Sequence, residues 1–199
     1  MKEEPFIGGN LNDATRVGDT VRRRAGPWTP AVHALLRFLE EAGFEAPLPR
    51  GIDEKGREVL DHVQGDVHPG WPQPAPDWVR DDDHLAAGAR LLRRHHDLVM
   101  GFEPPAGARW RFVAPTSPEI ICHNDWAPWN AVFRERRLAV MLDWDMAGPG
   151  TRLWTSRTAR TRGYRSSQAS MSGSESKPAA SVCSVTRMVW RTGPHSCMC

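Results

Sequence analysis

A chain of 199 residues with 40% hydrophobic content is long enough to bury a core, as one domain or as two small lobes. It contains no run of about 18 apolar residues for a membrane span, and its start, MKEEPFIGG, lacks the basic and then apolar profile of a secretory leader, so the cytoplasm is the expected compartment. The formal charge of +2 is unevenly divided: residues 155–199 carry seven basic residues against Glu175 alone, net +6, which leaves −4 on residues 1–154 and no basis for nucleic-acid binding by the body.

In chain order, FIGGNLNDATRVGDTVRRR (6–24) reads as short strands punctuated by the turn formers Gly8-Gly9, Asn12-Asp13 and Gly18-Asp19, predicting a small antiparallel sheet. WTPAVHALLRFLEEAGF predicts a helix capped by Thr29, with Pro30 in its first turn, Gly43 at its end, and Val32, Leu35, Leu36 and Leu39 on its buried stripe. GIDEKGREVLDHVQGD predicts a hairpin turning at Gly56, and the Pro- and Trp-dense HPGWPQPAPDWV a connector between lobes. DDDHLAAGARLLRRHHDLVM predicts a second helix whose stripe is Leu85, Ala89, Leu92, His96 and Val99, with acidic and basic ends that suit the helix dipole. His95-His96-Asp97 invites comparison with metal phosphohydrolases that use a His-Asp pair, but His96 lies on the apolar stripe and reads as a core or boundary histidine. RRLAVMLDW predicts a strand running into a polar cluster.

From Thr155 the sequence changes character. Residues 155–199 contain no Leu, Ile, Phe or Asp and show no helical or strand period, and three of the four cysteines fall here, leaving Cys122 alone in the body. A Ser/Arg-rich segment of this kind is expected to be disordered, with RNA its one nucleic-acid option, and the terminal CMC fits no common zinc spacing. A reading-frame shift after Trp154 is a sharper expectation. A GC-rich back-translation of TSRTARTRGYRSS in the shifted frame gives DLAHGPHPWVPLV, which continues the style of the body.

The chemistry concentrates in ICHNDWAPWNAVF and RLAVMLDWDMAGPG. Asp125 and Asn130 are five apart around Pro128, which disfavours a helix, and Asp143 follows thirteen residues later at the end of an apolar strand. A hairpin of that length returns Asp143 beside Asn130. Two carboxylates and an amide oxygen facing one point are hard ligands suited to Mg²⁺, the set phosphoryl transfer requires, and a divalent cation would offset the cost of burying them.

His123-Asn124-Asp125 with Asn130, then Leu142-Asp143-Trp144-Asp145, resembles the catalytic loop and metal-binding strand of the aminoglycoside phosphotransferase family, relatives of protein kinases and choline kinases. The resemblance covers residues 6–154. It implies an α+β, protein-kinase-like fold of two lobes: a nucleotide-binding lobe of sheet plus helix (1–66) and a mainly helical catalytic lobe (67–154), left incomplete by the tail (155–199). It implies ATP and Mg²⁺ as cofactors and a small-molecule hydroxyl as acceptor. Asp125 is the implied catalytic residue and Asn130 and Asp143 the implied metal ligands, with Asp145 auxiliary and His123 structural. Gly8 and Gly9 would lie over the phosphates, Arg22, or Arg23 one register away, would pair with them in place of the usual lysine, and Asp61, His62 and Val63 would form the adenine linker. Val32 and His33 stand where the family's helix glutamate pairs with that cation. The rival reading is an inactive, truncated relative with at most weak nucleotide binding.

Overall fold

The tight turn at Gly18-Asp19 joins β2 (Thr15–Val17) to β3 (Thr20–Arg24), with Gly18 supplying the positive φ of 60° that the turn needs. In the computed structural model, which describes residues 3–5, 14–68, 76–115 and 117–161, these strands join β1 (Glu4–Pro5), β4 (Pro49–Ile52) and β5 (Arg57–Asp61) in an antiparallel sheet of order β1-β2-β3-β5-β4. The predicted hairpin at Gly56 (φ 74°) is β4–β5. The β3–β5 register sets Val21 opposite Leu60 and Arg23 opposite Glu58.

Helix α1 (Thr29–Glu41) buries Val32, Leu35, Leu36 and Leu39 to 1% exposure or less, the stripe its spacing predicts. Thr29 does not cap it. The helix already begins at Thr29, whose hydroxyl accepts from Gly26 N at 2.9 Å, and Trp28 takes the cap position. Gly43, at φ 70°, ends the helix as expected, with Phe44 N donating back to Leu39 O at 2.8 Å.

The second part opens with β6 (Asp66–Val67), and residues 69–75 of the predicted connector lie outside the described residues. Helix α2 (Asp82–Leu98) is capped by Asp81, which accepts from His84 N at 2.8 Å. Its buried face is Gly88, Leu92, His95 and His96; Ala89, expected on the stripe, is exposed, because the face is centred one residue earlier. Strands β7 (Ile120–Cys122), β8 (Ala131–Arg134), β9 (Arg137–Met141) and β10 (Gly148–Gly150) form a β10-β7 ribbon and a β6-β8-β9 sheet beside the helices of the second lobe.

Helix α3 (Arg152–Thr161) runs straight through position 155, correcting the expectation that no helix continues there. Residues 162–199 lie outside the described residues. One apolar core joins Leu35, Leu36 and Leu39 of α1 to Leu92 of α2, Ile120 and Ile121 of β7, Phe133, Met141 and Trp144. No helix among the described residues is long and apolar enough to cross a membrane.

Candidate active site

The polar cluster is built by the β7-to-β9 stretch. Asn124 adopts a positive φ of 63° just past β7, and its side chain accounts for the strain: Nδ2 donates to Met146 O at 2.9 Å and Oδ1 accepts from Trp154 Nε1 at 3.1 Å. Gly148 lets the ribbon pass under the 110–114 segment, because a Cβ there would sit 1.9 Å from Phe112 O. His123 is fully buried and joins the two halves of the site: Nδ1 accepts from Asp125 N at 3.2 Å, so Nε2 carries the proton and donates to Leu142 O at 2.9 Å.

The β8–β9 hairpin returns Asp143 to Asn130 as the spacing predicts, with Leu142 N donating to Asn130 O at 2.7 Å. Asn130 Nδ2 donates both to Asp125 Oδ2 (2.8 Å) and to Asp125 O (2.9 Å), which leaves its amide oxygen as the end that can face a cation. Asp143 sits in the left-handed region (φ 55°) with its side chain 33% exposed. Asn130 and Asp143 thus offer hard oxygens that fit Mg²⁺, with water and phosphate oxygens needed to complete its coordination. No group of three His, Cys, Asp or Glu side chains among the described residues could hold a metal alone.

Strand alternation separates the two candidate cations. Arg22, the better match by sequence, turns toward Asp53 (3.4 Å) and Thr20 Oγ1 (3.3 Å), whereas Arg23 turns inward and is 6% exposed. Arg23 meets three carboxylates, with Nε on Glu58 Oε1 at 2.5 Å, Nη1 on Asp143 Oδ1 at 2.9 Å and Nη2 on Asp145 Oδ1 at 2.6 Å. Burial opposes its charge, but Asp145, Glu58 and Asp143 together outweigh burial and raise its pKa further. Asp145 also pairs with Arg111 at 3.2 Å, and burial pushes its carboxyl up to about 6. Arg111 in turn lies over the Trp28 ring at 4.8 Å, tying the segment before β7 to the start of α1.

Glu58 and Arg111 are the members that sequence reasoning missed. Glu58 was detectable in principle, since it lies in the hairpin strand directly opposite Arg23. Arg111 lies in a Pro- and Gly-rich segment with no period to place it. In the expected adenine linker, Asp61 holds Arg50 through two 2.7 Å contacts and donates its N–H to Leu48 O, His62 donates its N–H to Asp19 O, and Val63 is half-buried. Gly8 and Gly9 lie outside the described residues.

A model of the phosphotransferase enzyme family matches residues 74–154. The trifolitoxin immunity protein of Rhizobium leguminosarum bv. trifolii is 39% identical over 153 residues, covering 72% of this chain and 55% of that protein, so the chain spans little more than half of its relative's length. Among solved structures, amicoumacin kinase in complex with AMP-PNP, Ca²⁺ and amicoumacin superposes with a TM-score of 0.64 at 10% identity, covering 79% of this chain and 63% of that one. A choline/ethanolamine kinase family protein from Mesorhizobium loti gives 0.56 at 17% identity (84% and 66% covered). An aminoglycoside phosphotransferase solved with streptomycin and ATP gives 0.53 at 12% (78% and 70%). At these identities the structures establish a kinase-like fold, and the family match covers Asp125, Asn130 and Asp143. The stretch that carries this site, residues 74–154, belongs to the phosphotransferase enzyme family.

Proposed function

We propose that the site transfers the γ-phosphate of Mg-ATP to a hydroxyl of a small molecule. The observation that carries this reading is a chain of contacts: Asn130 holds the Asp125 carboxylate and takes Leu142 N beside Asp143, and Asp143 in turn meets the buried Arg23, which assembles a carboxylate for the acceptor, two hard oxygen ligands and a cation for phosphate. Asp125 is the catalytic residue. Its N–H is fixed by His123 and its Oδ2 by Asn130, so the carboxylate is aimed before any acceptor arrives, ready to orient the hydroxyl and take its proton. Asn130 and Asp143 would hold Mg²⁺, which supplies charge neutralisation on the phosphates when bound. Arg23 is the phosphate-pairing cation and uses its planar fork in place of lysine. The 61–63 linker would offer backbone groups to the base.

Two measurements test the proposal on the full chain: thermal stabilisation by Mg-ATP, and phosphate transfer to a panel of acceptors including amicoumacin, streptomycin and choline. Wild type is expected to gain several degrees with Mg-ATP. Asp143→Ala should lose the Mg²⁺-dependent part of that gain, while Asp125→Ala should keep it and lose at least about 10²-fold in turnover. A wild-type chain that shows neither stabilisation nor turnover is the inactive relative, and the proposal is then wrong.

A further inference from the structure

Arg23 needs something other than the phosphates to hold it. The helix position expected to supply a carboxylate carries His33, yet a carboxylate is present: Glu58, 1% exposed, reaches Arg23 Nε from the neighbouring strand. Its second oxygen, Oε2, lies 3.0 Å from His33 Nε2, so both oxygens are engaged, one by the sheet's cation and one by the helix. The three contacts of the guanidinium differ in kind. Nε, nearest the stem, is taken by Glu58 and Nη2 by the buried Asp145, while Nη1 points to Asp143, whose side chain is 33% exposed. The Nε contact can therefore persist when phosphate oxygens compete with Asp143 for Nη1.

We infer that Glu58, oriented by His33, is the positioning residue that fixes Arg23 for the nucleotide's phosphates: the carboxylate of the cation–carboxylate pair has moved from helix α1 to strand β5, and the helix retains only the outer contact. The inference rests on the phosphotransferase reading above. It differs from a merely structural role, because a clamp on Arg23 acts on phosphate and not on the base.

Calorimetric titration of Mg-ATP and of adenosine into the full-length chain separates the two. Glu58→Gln, which keeps the shape, should weaken ATP about tenfold and leave adenosine within twofold. Returning the carboxylate to the helix in the double variant His33→Glu/Glu58→Gln should recover ATP to within about threefold of wild type. Should Glu58→Gln fail to fold, His33→Asn, which leaves the Arg23–Glu58 pair intact, should weaken ATP about threefold with adenosine again unchanged. Wild-type ATP affinity in these variants, or parallel loss of ATP and adenosine, overturns the inference and leaves the phosphotransferase reading standing. A wild-type chain that binds adenosine and ATP equally, or neither, overturns both.

Discussion

Arg22 and Arg23 are neighbours of identical chemistry, and the pleat gives them opposite surroundings. Arg22 shares Asp53 with Arg57 on the outer face, while Arg23 is enclosed by Glu58, Asp143 and Asp145. An exposed or half-buried pair contributes little, but a buried pair cut on one side leaves uncompensated charge. Arg23→Met is therefore expected to cost about 3–5 kcal/mol in urea denaturation, and Arg22→Met about 1 kcal/mol or less. Equal losses would mean that the carboxylates around Arg23 find other partners. The residue identities in TVRRR do not say which arginine turns inward, because that is a property of the β3–β5 register, and register depends on where Gly56 closes the neighbouring hairpin. The proximity of Asp125, Asn130 and Asp143 was legible because a loop and a hairpin of set length place them locally, without any distant partner.

The element that delivers Asp143 is the β8–β9 hairpin, and its turn is built from unfavourable residues. Glu135 and Arg136 sit at φ 50° and 59°, the mirror-image turn that two-residue hairpins prefer, which normally selects Asn-Gly. Each L-residue held there costs roughly 1 kcal/mol. The double replacement Glu135→Asn/Arg136→Gly is expected to stabilise the chain by about 1 kcal/mol, even with the loss of the 5.8 Å approach of Arg136 to the Trp78 ring; an unchanged or lower melting temperature would show that this approach matters more than the turn strain. Elements with a clean apolar period, α1 above all, were legible in position and face. Helix α3 was not: RLWTSRTART has no strong stripe, and its one described fully buried polar side chain, Thr155, gives no hydrophobic signal.

Across the whole molecule the two lobes share one core, and its centre is aromatic and histidine-rich. His95 is fully buried, stacked 6.2 Å from Trp126 and edge-on to Trp144 at 5.1 Å, and neither ring nitrogen has a hydrogen-bond partner among the described residues. The kinase-like architecture was legible because order of elements and core periodicity are carried by many residues at once. The packing of His96 into the core was legible because it falls on the apolar stripe of α2, where a core histidine is the simpler reading than a metal ligand. The core answer has a consequence for acid stability. Burial, then Arg152, lowers the His96 pKa to about 4 against a weaker opposing pull from Asp97, with Arg93 adding to the lowering, and burial keeps His95 well below the usual imidazole range. In the unfolded chain both titrate near the ordinary value of 6.5, so between about pH 6.5 and pH 4 the unfolded state binds more protons than the folded one. Their contribution is complete above about pH 6.5 and is lost as the pH falls. Asp145, with its carboxyl raised to about 6, acts in the opposite sense over part of that range, so the histidine effect is best read as a difference between variants. The stability of His96→Gln relative to wild type is expected to improve by on the order of 1–2 kcal/mol as the pH is lowered from 6.5 to 4, measured by urea denaturation at each pH. A gap that does not change with pH would mean that His96 keeps its ordinary pKa in the folded chain, and that water reaches the buried face of α2.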